Sequence, residues 1–135
     1  MPEERIATVP PVAESEATGK VAEVYADIKS VKNIDFVPNF WRTLASNPDL
    51  LESVWTQLKS LMHPEACNRT AKLDPITREI IALAVSATNG CSYCVNSHTA
   101  AGLKLGLDRE TLGEVLAIVG LFNATNALAV VWTVH

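Results

Sequence analysis

Apolar residues recur every three or four positions along most of the chain, and no stretch alternates strictly enough to read as a strand. In EATGKVAEVYADIKSV, Val21, Val24, Tyr25, Ile28 and Val31 fall at helical spacing behind Thr18, which is able to cap the first turn. This predicts a first helix. Pro38 opens a short helical piece, PNFWRTLAS, and Asn47-Pro48 reads as cap and first turn of a third helix with Leu51, Val54, Trp55, Leu58, Leu61 and Met62 on its apolar face. HPEACNRTAK reads as a loop. Asp74-Pro75 repeats the cap-and-proline start, ITREIIALAVSAT continues it, and Asn89-Gly90 is a usual helix stop. CSYCVNSHTAAGLKL has few strand formers and ends at Gly106, after which Asp108 caps a last helix beginning RETLGEVLAIVGLF. The pattern predicts an all-α fold of about six helices in a single domain over residues 1–135, with residues 1–17 as an extended arm.

The last helix changes that picture. From Val115 to His135 there is no Asp, Glu, Lys or Arg, a length that would cross a bilayer. Gly120, Asn123, Thr125 and Asn126 interrupt the run, and no positive charges flank its end. A helix apolar on most sides and buried between subunits is the better reading, which predicts an oligomer and no membrane.

Composition narrows the class. The 135 residues are 48% hydrophobic and 19% charged, which fits a globular domain with a core and not a disordered chain. Net charge is −4 and the basic residues, among them Arg5, Lys20, Lys29, Arg42, Lys59, Arg69, Arg78 and Arg109, are scattered, so nucleic acid is not an expected partner. MPEERIATVPPVAESE lacks the positive start and apolar run of a signal peptide, and the expected location is the cytoplasm. Three cysteines in a reducing compartment argue against a disulfide framework and for a catalytic, redox or metal role for the close pair.

That pair is Cys91 and Cys94, with His98 close behind. On one helix, at about 100° per residue, the three fall within roughly a 60° stripe. Cys94 and His98 are i and i+4, so the imidazole reaches that sulfur directly or through one water. Cys91 stands at the helix start, where unpaired N–H groups and the dipole favour a thiolate. Cβ atoms at i and i+3 lie about 5–6 Å apart and a disulfide wants about 3.5–4.5 Å, so the pair closes with a small tightening of the first turn. On the preceding helix, Glu79 is an acidic residue within an otherwise apolar run. Taken alone it reads as a helix-edge carboxylate paired with Arg78; with the stripe in view it completes a Glu–His–Cys relay.

Other readings compete. Two thiolates, an imidazole and a carboxylate are a ligand set for zinc, yet i, i+3 and i+7 on one helix span about 10 Å along its axis, too far for bonds of about 2.0–2.3 Å to one ion. Covalent haem attachment requires the histidine directly after the second cysteine, where Val95 stands. The bland reading makes both cysteines small buried hydrophobes and His98 a satisfied core residue. Cys67 reads as a bystander, His63 and His135 as surface residues, and Trp41, Trp55 and Trp132 as core or interface. Tyr93 fills space beside Cys91 or lines a pocket.

Glu79, eleven residues, Cys91, two residues, Cys94, three residues, His98 resembles the core of the alkylhydroperoxidase D-like proteins of the carboxymuconolactone decarboxylase superfamily. ATGKVAEVYADIK, VPNFWRTLASNPDLL and AAGLKLGLDRETL are similar to the arm, early helices and post-motif turn of its peroxidase-related branch. The resemblance implies a helical subunit assembling as a trimer or hexamer and reducing organic hydroperoxides or hydrogen peroxide without a metal or bound cofactor. It further implies that Glu79 and His98 help deprotonate Cys94, which attacks peroxide, that Cys91 closes a redox-active disulfide, and that a lipoylated or thioredoxin-like thiol protein reopens it. The pattern departs from the family at Ser92 and Tyr93, where well-characterised members carry a histidine beside the second cysteine. Helix-start activation of Cys91 would reverse the cysteine roles. A lactone decarboxylase that does not need the dithiol, or a non-catalytic binding protein on the same scaffold, are the alternatives the superfamily allows.

Overall fold

A computed structural model of the chain describes residues 8–135. Six α-helices follow in order: α1 (Gly19–Lys32), α2 (Asn39–Leu44), α3 (Pro48–Met62), α4 (Pro75–Asn89), α5 (Ser92–Lys104) and α6 (Arg109–Val131). No strand occurs among the described residues, so the fold is all-α as the periodicity predicts. Two short 3-10 turns are added: Pro64–Cys67 lies in the stretch read as loop, and Glu14–Glu16 lies in the arm. The first seven residues of that arm lie outside the described residues. By their contacts the described residues form two compact units, one ending at Ala71 and one spanning Lys72–His135.

The first unit holds a conventional core. Val21, Val24, Tyr25 and Ile28 present one face of α1 to Val37, to Trp41 of α2 and to Leu51 and Trp55 of α3, and all are buried. Each large aliphatic side chain fully removed from water contributes about 1.5–3 kcal/mol before entropy is counted. Trp41 and Trp55 meet edge to face with ring centroids 5.3 Å apart. The arm is tied down by Val12, whose carbonyl accepts from the Tyr25 hydroxyl at 2.8 Å and whose N–H donates to the Arg42 carbonyl at 2.9 Å. Asn47 caps α3 by accepting the Leu50 N–H, with Pro48 in the first turn. His63, read as a surface residue, instead sits half-buried with its ring 6.4 Å from that of Trp55.

Asp27 joins α1 to α3, accepting from Trp55 Nε1 at 2.8 Å and Lys59 Nζ at 2.9 Å. Partial burial raises its pKa, but the Lys59 and Trp55 hydrogen bonds and the Lys59 charge more than offset that and hold it below the ordinary aspartate value. The contribution is therefore present above an unfolded pKa of about 3.9 and disappears as pH falls through the lower folded value. Asp27→Ala is expected to destabilise the protein by about 1 kcal/mol at pH 7, a figure kept low because this carboxylate is partly solvated. Urea denaturation at pH 7 and again well below pH 3.9 measures it; the difference between the two proteins should shrink at the acid pH.

In the second unit α5 runs back along α4. The turn depends on Gly90, whose φ of 71° is left-handed and would strain any residue with a Cβ. Its N–H reaches the Ala87 carbonyl at 3.2 Å while the next N–H, of Cys91, reaches back to the Ser86 carbonyl at 3.0 Å, the paired bonds of a Schellman ending. Asp74 and Asp108 cap α4 and α6 by accepting the N–H three residues on. Gly102 of α5 is buried where a Cβ would come within 3.0 Å of Leu107, so the α5–α6 turn closes tightly. Asn123 of α6 donates through Nδ2 to the Thr88 hydroxyl of α4 at 3.2 Å. Little apolar surface is hidden in this unit: Leu83 and Leu107 are its buried large hydrophobic residues among those described.

Candidate active site

Every residue singled out for chemistry lies in this second unit, on the α4–α5 hairpin. Cys91 is the N-cap of α5 and not its first helical residue, a shift of one position from the expected helix start. All of its polar atoms are engaged. Its N–H donates to Ser86, its carbonyl accepts the Val95 N–H at 2.9 Å, and its Sγ accepts the Cys94 N–H at 3.3 Å. Capping by sulfur puts Sγ where the free N–H groups and positive end of α5 favour negative charge. Cys94 lies in the first turn, its Cα 5.3 Å from that of Cys91, and the two sulfurs are joined in a disulfide.

One turn beyond Cys94, His98 Nδ1 lies 2.8 Å from Glu79 Oε2. The residues are 19 positions apart in sequence, and the hairpin brings them level. Glu79 is 14% exposed and His98 26%, so the pair is shielded though still reachable by solvent. In the tautomer whose Nδ1–H donates to the Glu79 carboxylate, Nε2 is the ring's acceptor. His98 and Cys94 lie on α5, and Cys91 caps it. Tyr93, the pocket candidate, is 41% exposed in the first turn of α5 beside an exposed Ser92. The structure therefore draws Glu79 to His98 and Cys91 to Cys94, and leaves Tyr93 on the surface. Cys67 is free and exposed in the first unit.

Ser86 is the residue that sequence reasoning missed. Its hydroxyl is buried, and its carbonyl holds Cys91. The available signal was a lone hydroxyl in ALAVSAT, a run otherwise apolar up to Thr88.

Residues 60–134 match the model of the carboxymuconolactone decarboxylase family. The chain is 32% identical over 106 residues to the alkyl hydroperoxide reductase AhpD of Streptomyces griseus subsp. griseus, covering 76% of this chain and 56% of that protein. A (R)-2-haloacid dehalogenase of Pseudomonas putida is 29% identical over 112 residues, covering 83% of this chain and 35% of that protein. The chain thus spans about half the length, or less, of these curated relatives. The crystal structure of the alkylhydroperoxidase AhpD core from Rhodospirillum rubrum superposes with a TM-score of 0.88 at 42% identity, covering 97% of this chain and 94% of that one. The helical hairpin, its Cys-x-x-Cys pair and the match over more than half of its length place one conclusion beyond the fold itself: the chain belongs to the carboxymuconolactone decarboxylase family, as an AhpD-like member.

Proposed function

We propose that this protein is a thiol-dependent peroxidase that reduces organic hydroperoxides or hydrogen peroxide through Cys91 and Cys94. The observation that carries the reading is a Cys91–Cys94 disulfide at the start of the helix whose imidazole, His98, lies 2.8 Å from the Glu79 carboxylate. In the first step His98 takes the Cys94 proton, helped by Glu79, and the thiolate attacks a peroxide oxygen. The S–O bond forms, the O–O bond breaks, and the departing alkoxide takes a proton to leave as an alcohol, or as water from hydrogen peroxide. Cys94 is then a sulfenic acid. The Cys91 thiolate attacks that sulfur, the S–S bond forms, and the sulfenic oxygen leaves as water. A dithiol protein, lipoylated or thioredoxin-like, supplies two electrons and two protons to restore the thiols. No metal or bound organic cofactor enters this scheme, and the cytoplasm is where such a dithiol is kept reduced.

Single-turnover chemistry tests the reading. Protein reduced with dithiothreitol and desalted is mixed with cumene hydroperoxide, and cumyl alcohol is measured alongside free thiols. One alcohol formed for each pair of thiols lost is the expected result. Alcohol formed without thiol loss, or neither, would remove the proposal and turn attention to lactone decarboxylation, followed as carbon dioxide release.

The working form on this reading is a homo-trimer or homo-hexamer built on α6. Leu116, Ile118, Leu121, Phe122, Leu128 and Trp132 are 41–74% exposed, with Val130, Val131 and Val134 exposed beside them. Their exposed area is on the order of 1,000 Å², above the largest apolar patch of an ordinary monomer and comparable with one side of a stable interface. Arg109–Val131 is also long and apolar enough to cross a membrane, but its midsection polar groups, among them the Asn123 amide held to Thr88, favour a protein neighbour. Sedimentation velocity should show an assembly without detergent, and Phe122→Glu with Leu121→Glu should shift it to smaller species. A monomer in the unsubstituted protein would contradict this.

A further inference from the structure

We infer that the second unit, and with it the Cys91–Cys94 hairpin, is held folded by a second copy of the chain packed on α6, so that the thiol site comes apart when the assembly dissociates. The two units differ in what they bury. Ile28, Val37, Trp41, Leu51 and Trp55 belong to one closed cluster in the first, whereas Leu83 and Leu107 are the large hydrophobic side chains buried in the second among the described residues. Ile81 and Val85 of α4 and Leu116, Leu121, Phe122 and Leu128 of α6 are instead 41–57% exposed. So little hidden apolar surface does not offset the conformational entropy lost in ordering three helices and their turns. The missing cover must come from outside these residues.

Its place can be read along α6. Asn123 donates to Thr88 of α4 at 3.2 Å, and beyond it every residue up to Val131 except Ala129 is exposed, so the helix runs on for about two turns with almost no cover. A helix end carrying Thr125, Asn126, Val130 and Val131 is not self-supporting in water. A second copy fits this face best. Val115 to His135 carries no Asp, Glu, Lys or Arg, the exposed area is comparable with one side of a stable interface, and every copy presents the same face, whereas lipid would have to take Asn123, Thr125 and Asn126 in the middle of the run. The consequence reaches the thiols through α4, which packs against both α5 and α6. Glu79 on α4 and His98 on α5 meet at 2.8 Å only while those two helices are packed, so a unit that loses its cover loses the pair.

The inference rests on the α6 assembly proposed above and deepens it, and its test needs no peroxide. The reduced full chain is followed by hydrogen exchange with mass spectrometry over the dilution range in which sedimentation velocity shows it dissociating, beside the double variant Leu121→Glu with Phe122→Glu. In dissociated protein the α4 and α5 amides should exchange at least about a hundredfold faster than in the assembly, while those of α1 and α3 change by less than about threefold. More than half of the helical residues lie in α4, α5 and α6, so the far-ultraviolet ellipticity should fall by roughly half. Dissociated chains that keep α4 and α5 protected overturn the inference and leave the α6 assembly standing; a protein monomeric at every concentration overturns both. An assembly that survives the two introduced charges, or a loss of protection that extends to α1 and α3, also overturns it. So does protection restored to dilute protein by phosphatidylcholine vesicles, which would assign α6 to a membrane. If the thiols of the assembled protein ignore peroxide while dilution still opens the hairpin, the peroxidase proposal fails and the coupling to assembly stands.

Discussion

Cys94→Ser is expected to abolish reaction with cumene hydroperoxide, a loss of about 10³-fold or more, because the hydroxyl that replaces the thiol is not ionised near neutral pH and is not reducing. Cys91→Ser should behave differently. It retains the attacking sulfur and the His98–Glu79 pair, so it should react once and stop at a sulfenic acid on Cys94, trapped by dimedone as a mass adduct. The two variants therefore separate attack from resolution. A dimedone adduct on Cys91 in the Cys94→Ser protein would reverse the roles, as activation at the helix cap would favour, since Cys91 Sγ is the sulfur that accepts a helix N–H.

His98→Ala is expected to slow the thiol reaction at pH 7 by about 10²- to 10³-fold, within the range for loss of a positioned base. The effect should depend on pH in a definite direction. Without the imidazole the thiol must ionise by itself, so the rate should climb about tenfold per pH unit until the thiol's own pKa, near 8.5 for a free cysteine, is reached. The deficit against wild type should narrow as pH rises. Glu79→Gln keeps an oxygen within reach of Nδ1 and removes the charge, and should cost about tenfold to a hundredfold with the same narrowing. Rapid-mixing measurements from pH 6 to 9 provide the profiles. A deficit that is constant with pH would assign both side chains to packing and not to proton transfer.

Much of the fold could be read from the sequence because its helices announce their ends locally. Asn47-Pro48, Asp74-Pro75 and Asp108 are caps in the structure as in the pattern, and Gly90 stops α4 in the left-handed conformation. Local signals place Cys94 and His98 on one helix for the same reason, with Cys91 falling one position earlier, at its cap. The distance between Glu79 and His98 is a different kind of fact, since it depends on how α4 and α5 pack, and the run EIIALAV equally allows an edge carboxylate beside Arg78. Ser86 was invisible because a serine among apolar residues has no meaning until its carbonyl is seen holding Cys91. The grouping of contacts into two units, and the small buried core of the second, also have no local signature. Trp132 shows the limit from the other side. It is 74% exposed at the end of α6, against 3% for both Trp41 and Trp55, a difference that three tryptophans in apolar surroundings do not signal in the sequence.

The most direct test of the account is the mass of the reduced protein before and after a small excess of hydroperoxide, followed by peptide mapping without reductant. The account predicts loss of two hydrogens per chain and a peptide linked through Cys91 and Cys94, with Cys67 still alkylatable. An unchanged mass with both thiols free, or stable oxygen adducts without the Cys91–Cys94 link, would contradict it.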